Sequence, residues 1–399
     1  MQEHDGHVSP TNTSDWTWPF WPIVPIYPYG QRRTLRQEVV PDWMWTFDQC
    51  QGILYVIVPI RMTVVRLEAG GLLVYAPIAP TRECMRLLRD LEARYGRVQH
   101  IILPTVSGIE HKVFVGPFAR QCPEAQVWIA PDQWSFPVNL PLSWLGLPRQ
   151  RTRALPMSGN TPFAQEFDYA ILGPINLGLG PFEEVALFHR RSRTLLVTDC
   201  VVSVPEQPPA IIQQDPYPLL FHAKDHGGEI VEDQMRSRLK GWKRIVLFAF
   251  YFRPSALEVV GTLQSIQDAF KASDRSRKAY FGWYPFRWQD TWEASFETLR
   301  ANGQLFVAPI LQTLILNRAP VETLNWVERV ARWDFQRIIP CHLDAPIQAT
   351  PEQFRQAFAF LNPYGDLGRL PMDDLDFLQQ IERSLSQRGI TPPARLNRP

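Results

Sequence analysis

Apolar positions along this chain switch between two periods, and each switch marks an element. Residues 98–103 form an apolar run of strand length that Pro104 ends. Residues 111–121 then carry Val113, Phe114, Phe118 and Ala119 at near-helical spacing. A strand, a loop and a helix therefore follow one another. Ligands in α/β folds collect beyond the carboxyl ends of strands, so the loop 104–111, with Glu110 and His111, is the first place to look for a site. Upstream, residues 44–47, 54–59, 62–67 and 72–76 are short β-rich runs separated by Cys50-Gln51-Gly52, Pro59 and Ala69-Gly70-Gly71. They predict an antiparallel meander. Thr81 opens a helix with Glu83 in its first turn, and Cys84, Leu87, Leu88 and Leu91 repeat at core-facing spacing until Tyr95-Gly96.

Downstream, residues 131–163 are rich in Pro and Trp without a period and are expected to wrap the surface. Residues 185–188 and 194–197, separated by the polar stretch 190–193, read as a hairpin that delivers Asp199. Residues 205–320 read as a mostly helical insertion: an apolar run at 245–252, a helix from about 254 to 271 and another at 292–299. Residues 305–316 are strongly apolar and predict a buried helix, since the run falls short of the roughly 18–20 residues that cross a bilayer. A further helix at 322–333, with Leu324, Val327 and Val330 in register, precedes the apolar pair Ile338-Ile339, and His342 opens the next loop.

A 45% hydrophobic content over 399 residues allows a large core and predicts a soluble globular protein. The 41 basic and 40 acidic residues leave a net charge of +1, so no basic field draws nucleic acid, and none is expected as a partner. Cys50, Cys84, Cys122, Cys200 and Cys341 are odd in number and form no C-x-x-C pair, which points to a reducing compartment and to small core residues rather than a disulfide framework. The first ten residues lack the basic and apolar regions of a signal peptide and are too acidic for a transit peptide, so a cytoplasmic or stromal-type location is expected, with no transmembrane segment. The 14 Trp and 37 Pro concentrate at 16–28 and 281–292. Prolines keep the first stretch extended, so its aromatics lie along a surface: either the arm packs on its own domain, or it docks a protein partner or a membrane at its periphery.

Thr105-Val106-Ser107-Gly108-Ile109-Glu110-His111 resembles the first motif of the metallo-β-lactamase superfamily, Thr-His-x-His-x-Asp-His. Residues 194–199 (TLLVTD) and 337–342 (RIIPCH) resemble that superfamily's strand ending in a bridging Asp and its strand ending in the last His. Residues 26–49, 61–83 and 248–259 more closely resemble an uncharacterised family of cyanobacteria and plastids, a domain of unknown function remotely related to that fold. The resemblance implies an α/β four-layer αββα sandwich in which the strands at 98–103, 195–198 and 338–340 end on one edge. It divides the chain into a Pro/Trp-rich arm (1–40), a first part of the lactamase-like domain (41–204), the insertion beside the cleft (205–320), a closing helix and strand (321–362), and a C-terminal helix and tail (363–399).

In the superfamily one metal takes three histidines and the bridging Asp; the other takes Asp, His, the bridging Asp and the last His. Here Val106 and Gly108 offer no lone pair and residues 174–188 contain a histidine nowhere, so the first metal's ligands are missing and an apolar space is expected in their place. The second set corresponds to Glu110, His111, Asp199 and His342, and two imidazoles with two carboxylates suit one Zn, Fe or Mn better than Mg. Two readings follow. The protein is a degenerate, non-catalytic binding or assembly factor associated with photosynthetic membranes, or it is a mono-metal hydrolase or oxidoreductase. Other motifs carry less. His222 and His226 are spaced for a zinc helix, but Gly227-Gly228 points to a solvated loop; residues 173–180 lack the Lys-Ser or Lys-Thr of a P-loop and read as a turn; no G-x-S-x-G elbow surrounds Ser107.

Overall fold

The computed structural model describes residues 13–18, 26–106, 110–135, 139–157, 161–362 and 370–395. Strand-forming runs in its first third pair almost in sequence order. β1 (Ile26–Tyr27) and β2 (Leu35–Val40) pair with β3 (Met44–Ile53), which pairs with β4 (Val56–Arg66), and β4 with β5 (Leu72–Tyr75), all antiparallel. The side chain of Thr81 caps α1 (Arg82–Tyr95) by accepting the Cys84 N–H. β6 (Val98–Leu103), α2 (Lys112–Gln121), β7 (Gln126–Ile129) and β8 (Thr152–Ala154) then extend the sheet by parallel pairing. The meander is present with three changes, the first being that Cys50-Gln51-Gly52 continues β3 instead of separating two strands. Pro59 does not divide a strand: β5 pairs only with residues 63–66 of β4, so at Pro59 the strand has a single neighbour and can spare one N–H. Residues 26–27 and 35–40, expected in a separate arm, are ladder partners of β3.

β9 (Phe167–Asn176), β10 (Pro181–His189) and β11 (Thr194–Leu196) start a second, antiparallel sheet. The chain then leaves it for an insertion built from α3 (Tyr217–Ala223), α4 (Met235–Tyr251), β12 (Leu257–Val259), α5 (Thr262–Lys271), β13 (Phe286–Trp288), α6 (Trp292–Arg300) and α7 (Pro309–Leu314). Three local expectations fail here, each through a distant partner. The helix expected from 254 begins only at Thr262, because Leu257–Val259 pairs with Phe286–Trp288. The run at 305–316 starts extended, because Phe306 and Val202 exchange backbone hydrogen bonds of 2.9 Å. His222 is not on a solvated loop: it is fully buried in α3 with Nε2 3.0 Å from the Leu54 carbonyl, while His226 lies exposed beyond the helix end, so the pair never forms.

α8 (Pro320–Val330) returns the chain to the second sheet, where β14 (Arg337–Ile339) runs parallel to β11 and pairs with β15 (Ile347–Gln348). α9 (Pro351–Ala357) and α10 (Met372–Gln387) follow, the latter placing Leu378 in the insertion's core.

Alternation along the strands sorts the core into layers, because successive side chains leave opposite faces. Leu72 and Val74 face α1 and α2, meeting Cys84, Leu88, Leu91, Phe114 and Phe118. Leu73 and Tyr75 face inward, where they meet Val185, Leu187, Leu196 and Ile339 of the second sheet. Leu195 and Ile338 face outward again, onto Trp326, Val327 and Val330 of α8 and Phe354 of α9. The order is helix, sheet, sheet, helix, the expected αββα sandwich. The insertion has a core of its own around Trp242, Ile245 and Phe296, which takes in Val202, Ile57 and Leu343 from the sandwich.

Glycine inside a helix ordinarily destabilises it relative to alanine by about 1 kcal/mol. At Gly241 in α4 the sign reverses, because an added Cβ would sit 1.8 Å from the Leu219 carbonyl oxygen of α3. Gly241→Ala is expected to destabilise by about 1–3 kcal/mol, read as a lower midpoint in urea unfolding; an unchanged or higher midpoint would show that the two helices are not in contact there.

Candidate metal centre

Three strand ends supply the site. Asp199 and His342 each follow their strand by three residues, and because β11 and β14 are parallel neighbours both leave the same edge. β6 belongs to the other sheet, but its end is tied to this edge where the Val185 N–H donates to the Pro104 carbonyl (2.8 Å) and Thr105 bridges to Glu184. Glu110 therefore arrives opposite the other two. One donor atom from each of Glu110, Asp199 and His342 lies within 4.8 Å of the others. His342 Nε2 is 3.0 Å from Glu110 Oε2 and 2.9 Å from Asp199 Oδ1, while its Nδ1 is 3.0 Å from the Pro59 carbonyl.

That ring is over-supplied with acceptors. A carbonyl can only accept, so Nδ1 carries a hydrogen and donates to Pro59. Nε2 then faces two carboxylate oxygens, and a bare lone pair there would be repelled by both. A cation has to stand between them, either a proton or a metal ion. In the protonated state burial works against the His342 charge, but the Glu110 carboxylate and hydrogen bonds to Asp199 and Glu110 outweigh it and hold the imidazole well above its ordinary pKa. Burial likewise opposes ionisation of Glu110, and the charge and hydrogen bond of His342 overcome it, bringing Glu110 down to about 2.

His111 stands beside this trio without joining it. Its Nδ1 is 3.2 Å from the Pro77 carbonyl, which fixes the hydrogen on Nδ1, and its Nε2 is buried with no hydrogen-bond partner. Burial pushes its pKa down, against the pull of Glu110, so the ring is neutral. A buried lone pair without a donor is costly. An imidazole held through one nitrogen by a carbonyl, with the other left bare, is the arrangement in which histidines present themselves to metals. His111 has it; His342 is anchored in the same way through Nδ1, with its Nε2 against Glu110 and Asp199. Among the described residues Glu110, Asp199 and His342 form a candidate metal-ligand group, and the bare His111 nitrogen stands beside it.

One position of the superfamily's first motif is described on this side of the site. Val106 is packed in the core between the sheets instead of lining an open apolar space, and its carbonyl accepts a hydrogen bond of 3.1 Å from the buried Lys112 ammonium. Gly108 lies outside the described residues.

Two residues that pattern-reading passed over hold the ligands in place. Glu184, fully buried on β10, accepts the backbone N–H groups of Thr198 (2.7 Å), Asp199 (3.0 Å) and Cys200 (2.9 Å), so it shapes the turn that aims Asp199. Arg61, buried on β4, pairs with Asp48 at 2.8 Å and donates to the carbonyls of Pro340 (2.8 Å) and Leu343 (2.9 Å), bracketing His342. A charged residue inside an apolar strand is the signal that could have found both, in Phe182-Glu183-Glu184-Val185 and Ile60-Arg61-Met62. Elsewhere the described part of the N-terminal arm packs at home: Trp16 Nε1 donates to Glu83 Oε1 (3.2 Å) and Trp18 meets Phe114 edge-on at 5.6 Å, while residues 19–25 lie outside the described residues. Of residues 173–180, expected as a turn, 173–176 continue β9 and only 177–180 form the turn, closed by the Leu177 N–H on the Gly180 carbonyl. A cavity of about 1060 Å³ opens between Tyr27, Tyr55, Asp215 and Lys278, apart from the three converging ligands.

The layer order and the placement of these strand ends are those of a metallo-β-lactamase-like protein. Within that class the chain belongs to the family described as Domain of unknown function (DUF4336), which matches residues 41–360. No curated protein matches it by sequence. Solved structures similar to it include the metal-soaked Flv1 flavodiiron core from Synechocystis (8% identity, 83% of this chain and 61% of that one, TM-score 0.40). A flavo di-iron protein from Thermotoga maritima is similar at 6% identity over 84% and 63% of the two chains (TM-score 0.44), and a metallo-β-lactamase from Pontibacter korlensis at 9% over 82% and 99% (TM-score 0.36). The chain spans less than two thirds of the length of the two flavodiiron chains.

The proton between His342 and its carboxylates gives the metal-free protein a pH signature. His342, raised in the fold, contributes stability that is complete below its unfolded value of about 6.5 and is lost as pH rises through the folded value. Glu110, lowered from 4.5 to about 2, contributes stability that is complete above 4.5 and is lost as pH falls toward 2. The stability difference between chelator-treated wild type and His342→Ala should therefore be greatest between about pH 4.5 and 6.5 and shrink on both sides. A difference that is flat from pH 3 to 9 in urea titrations would mean that no such proton is shared.

Proposed function

We propose that this protein is a one-metal enzyme of hydrolase type in which Glu110, His111, Asp199 and His342 hold a single zinc, iron or manganese ion. The observation that carries this reading is the pair of imidazoles, each anchored through Nδ1, whose Nε2 atoms are left facing two carboxylates in one case and left without a partner in the other. When bound, such an ion lowers the pKa of a coordinated water toward about 7 and can polarise a substrate oxygen. The chain's own residues do the rest. Pro59 and Pro77 fix both tautomers through their carbonyls, Glu184 holds the Asp199 turn, and Arg61 clamps the loop on either side of His342. Glu110 stays ionised across the neutral range, so it serves as an acceptor and not as a proton donor. Without the ligands of a second ion, nothing shares the charge that builds on a reacting oxygen, and slow turnover is expected. With iron in the site, the same ligands suit an oxidoreductase.

Protein purified without chelator should contain close to one equivalent of Zn, Fe and Mn together. His342→Ala should lose most of it. Glu184→Gln, which replaces one accepting oxygen by an amide that cannot accept from a backbone N–H, should weaken metal binding by roughly 10- to 100-fold, as loss of an outer hydrogen-bond partner does. Val106→His alone should leave the content at one equivalent. A content well below one equivalent in wild type, or one unchanged in His342→Ala, overturns the metal centre. The degenerate, non-catalytic binding or assembly factor at photosynthetic membranes, suggested by the family resemblance and the aromatic arm, would then be the reading that stands.

A further inference from the structure

α5 is built inside out. Its small residues Ser265 and Ala269, with Ala272 just past its end, face the protein, whereas Leu263, Ile266 and Phe270 are 81%, 45% and 73% exposed. At 100° per residue these three fall within about 60° of one another, a single apolar stripe turned to solvent. The stripe has neighbours. The turn at Tyr280–Gly282 packs against the end of the helix so closely that a Cβ on Gly282 would lie 2.7 Å from the Ala269 carbonyl, and it presents Phe281 at 68% exposure. Several large apolar side chains turned to solvent on one helix face and the turn packed against its end mark an interaction site.

The charge beside it says what kind. Residues 271–278 carry Lys271, Arg275, Arg277 and Lys278 against the single acid Asp274, all exposed, in a chain whose net charge is only +1. Asp274 is occupied by the Ser276 N–H at 2.8 Å, and among the described residues Lys271, Arg275 and Arg277 make no ion pair. Lys278 lies 3.9 Å from Asp215, which leaves three unpaired cations, and an outward apolar stripe followed by such cations is the combination by which an amphipathic helix lies in the plane of an anionic bilayer, its apolar side among the acyl chains and its cations among the headgroups. At ten residues α5 is far too short to span one, and no helix among the described residues is long and apolar enough to do so.

We propose that α5 and the 271–278 segment dock the protein onto the surface of an anionic lipid bilayer. This does not depend on the metal centre. The test is flotation of the full-length protein with vesicles of phosphatidylcholine alone or with 30% phosphatidylglycerol. Wild type should float with the anionic vesicles and lose that binding in 0.5 M salt or without the anionic lipid. Lys271→Gln/Arg275→Gln/Arg277→Gln should weaken it on the order of 100-fold, about fivefold per cation. Leu263→Gln/Ile266→Gln/Phe270→Gln should abolish it. All six side chains point to solvent, so both variants should keep the wild-type melting curve and metal content. The proposal fails if wild type ignores anionic vesicles, if the apolar variant binds as wild type does, or if light scattering finds a dimer that the apolar variant converts to a monomer, which would make a second copy the occupant.

Discussion

His342 Nε2 lies about equally close to two carboxylate oxygens, and its other nitrogen is committed to a backbone carbonyl. Electrostatics permits this only with a cation at Nε2. Four separate segments are thereby held at one point: β4 through Pro59, the loop before α2 through Glu110, the end of β11 through Asp199 and the end of β14 through His342 itself. Removing either carboxylate leaves a buried charge partly uncompensated, and such losses cost more than the intact arrangement contributes. The rest of the edge is organised to make this convergence possible. Two sheets close over a shared core, their ends are joined at Pro104 and Thr105, and two buried charged residues, Glu184 and Arg61, saturate the backbone groups of the turns that carry the ligands.

The same geometry shows what stands at one position of the superfamily's first motif. Where the superfamily's first motif would bring two further histidines, Val106 is packed between the sheets and its carbonyl is bound by the Lys112 ammonium. A buried cation supplied by the chain stands beside that segment. Meanwhile the insertion's core reaches Val58 and Leu343, the neighbours of Pro59 and His342, so the elements that distinguish this chain from a minimal sandwich pack directly behind the groups that orient the imidazole. Support of the site is therefore tied to the insertion.

Much of this was legible in the order of the residues. Strands ending at Leu103, Leu196 and Ile339 each announce themselves by an apolar run followed by a polar ligand, and the parallel pairing of the last two follows from the helix that separates them. The α1 stripe is local information: Cys84, Leu88 and Leu91 are buried and Leu87 packs half-buried against the same core. What could not be read depends on partners far along the chain. Leu257–Val259 is a strand only because Phe286–Trp288 lies beside it, and His222 is buried only because α3 packs under the tip of the β3–β4 hairpin. The roles of Pro59 and Pro77 belong to backbone carbonyls, which no side-chain pattern records. His111 marks the limit of the motif itself: the sequence places it one residue from Glu110, yet only the structure separates a ring that touches the carboxylates from one that waits beside them.

X-ray absorption at the metal edge of the loaded protein tests the central claim most directly. Four light N/O ligands at about 2.0–2.2 Å, with the outer-shell scattering of two imidazoles, are predicted; His111→Ala should remove one imidazole and leave the other. Sulfur in the coordination sphere, no imidazole signal, or a metal–metal vector near 3.5–4 Å would contradict a single ion held by Glu110, His111, Asp199 and His342.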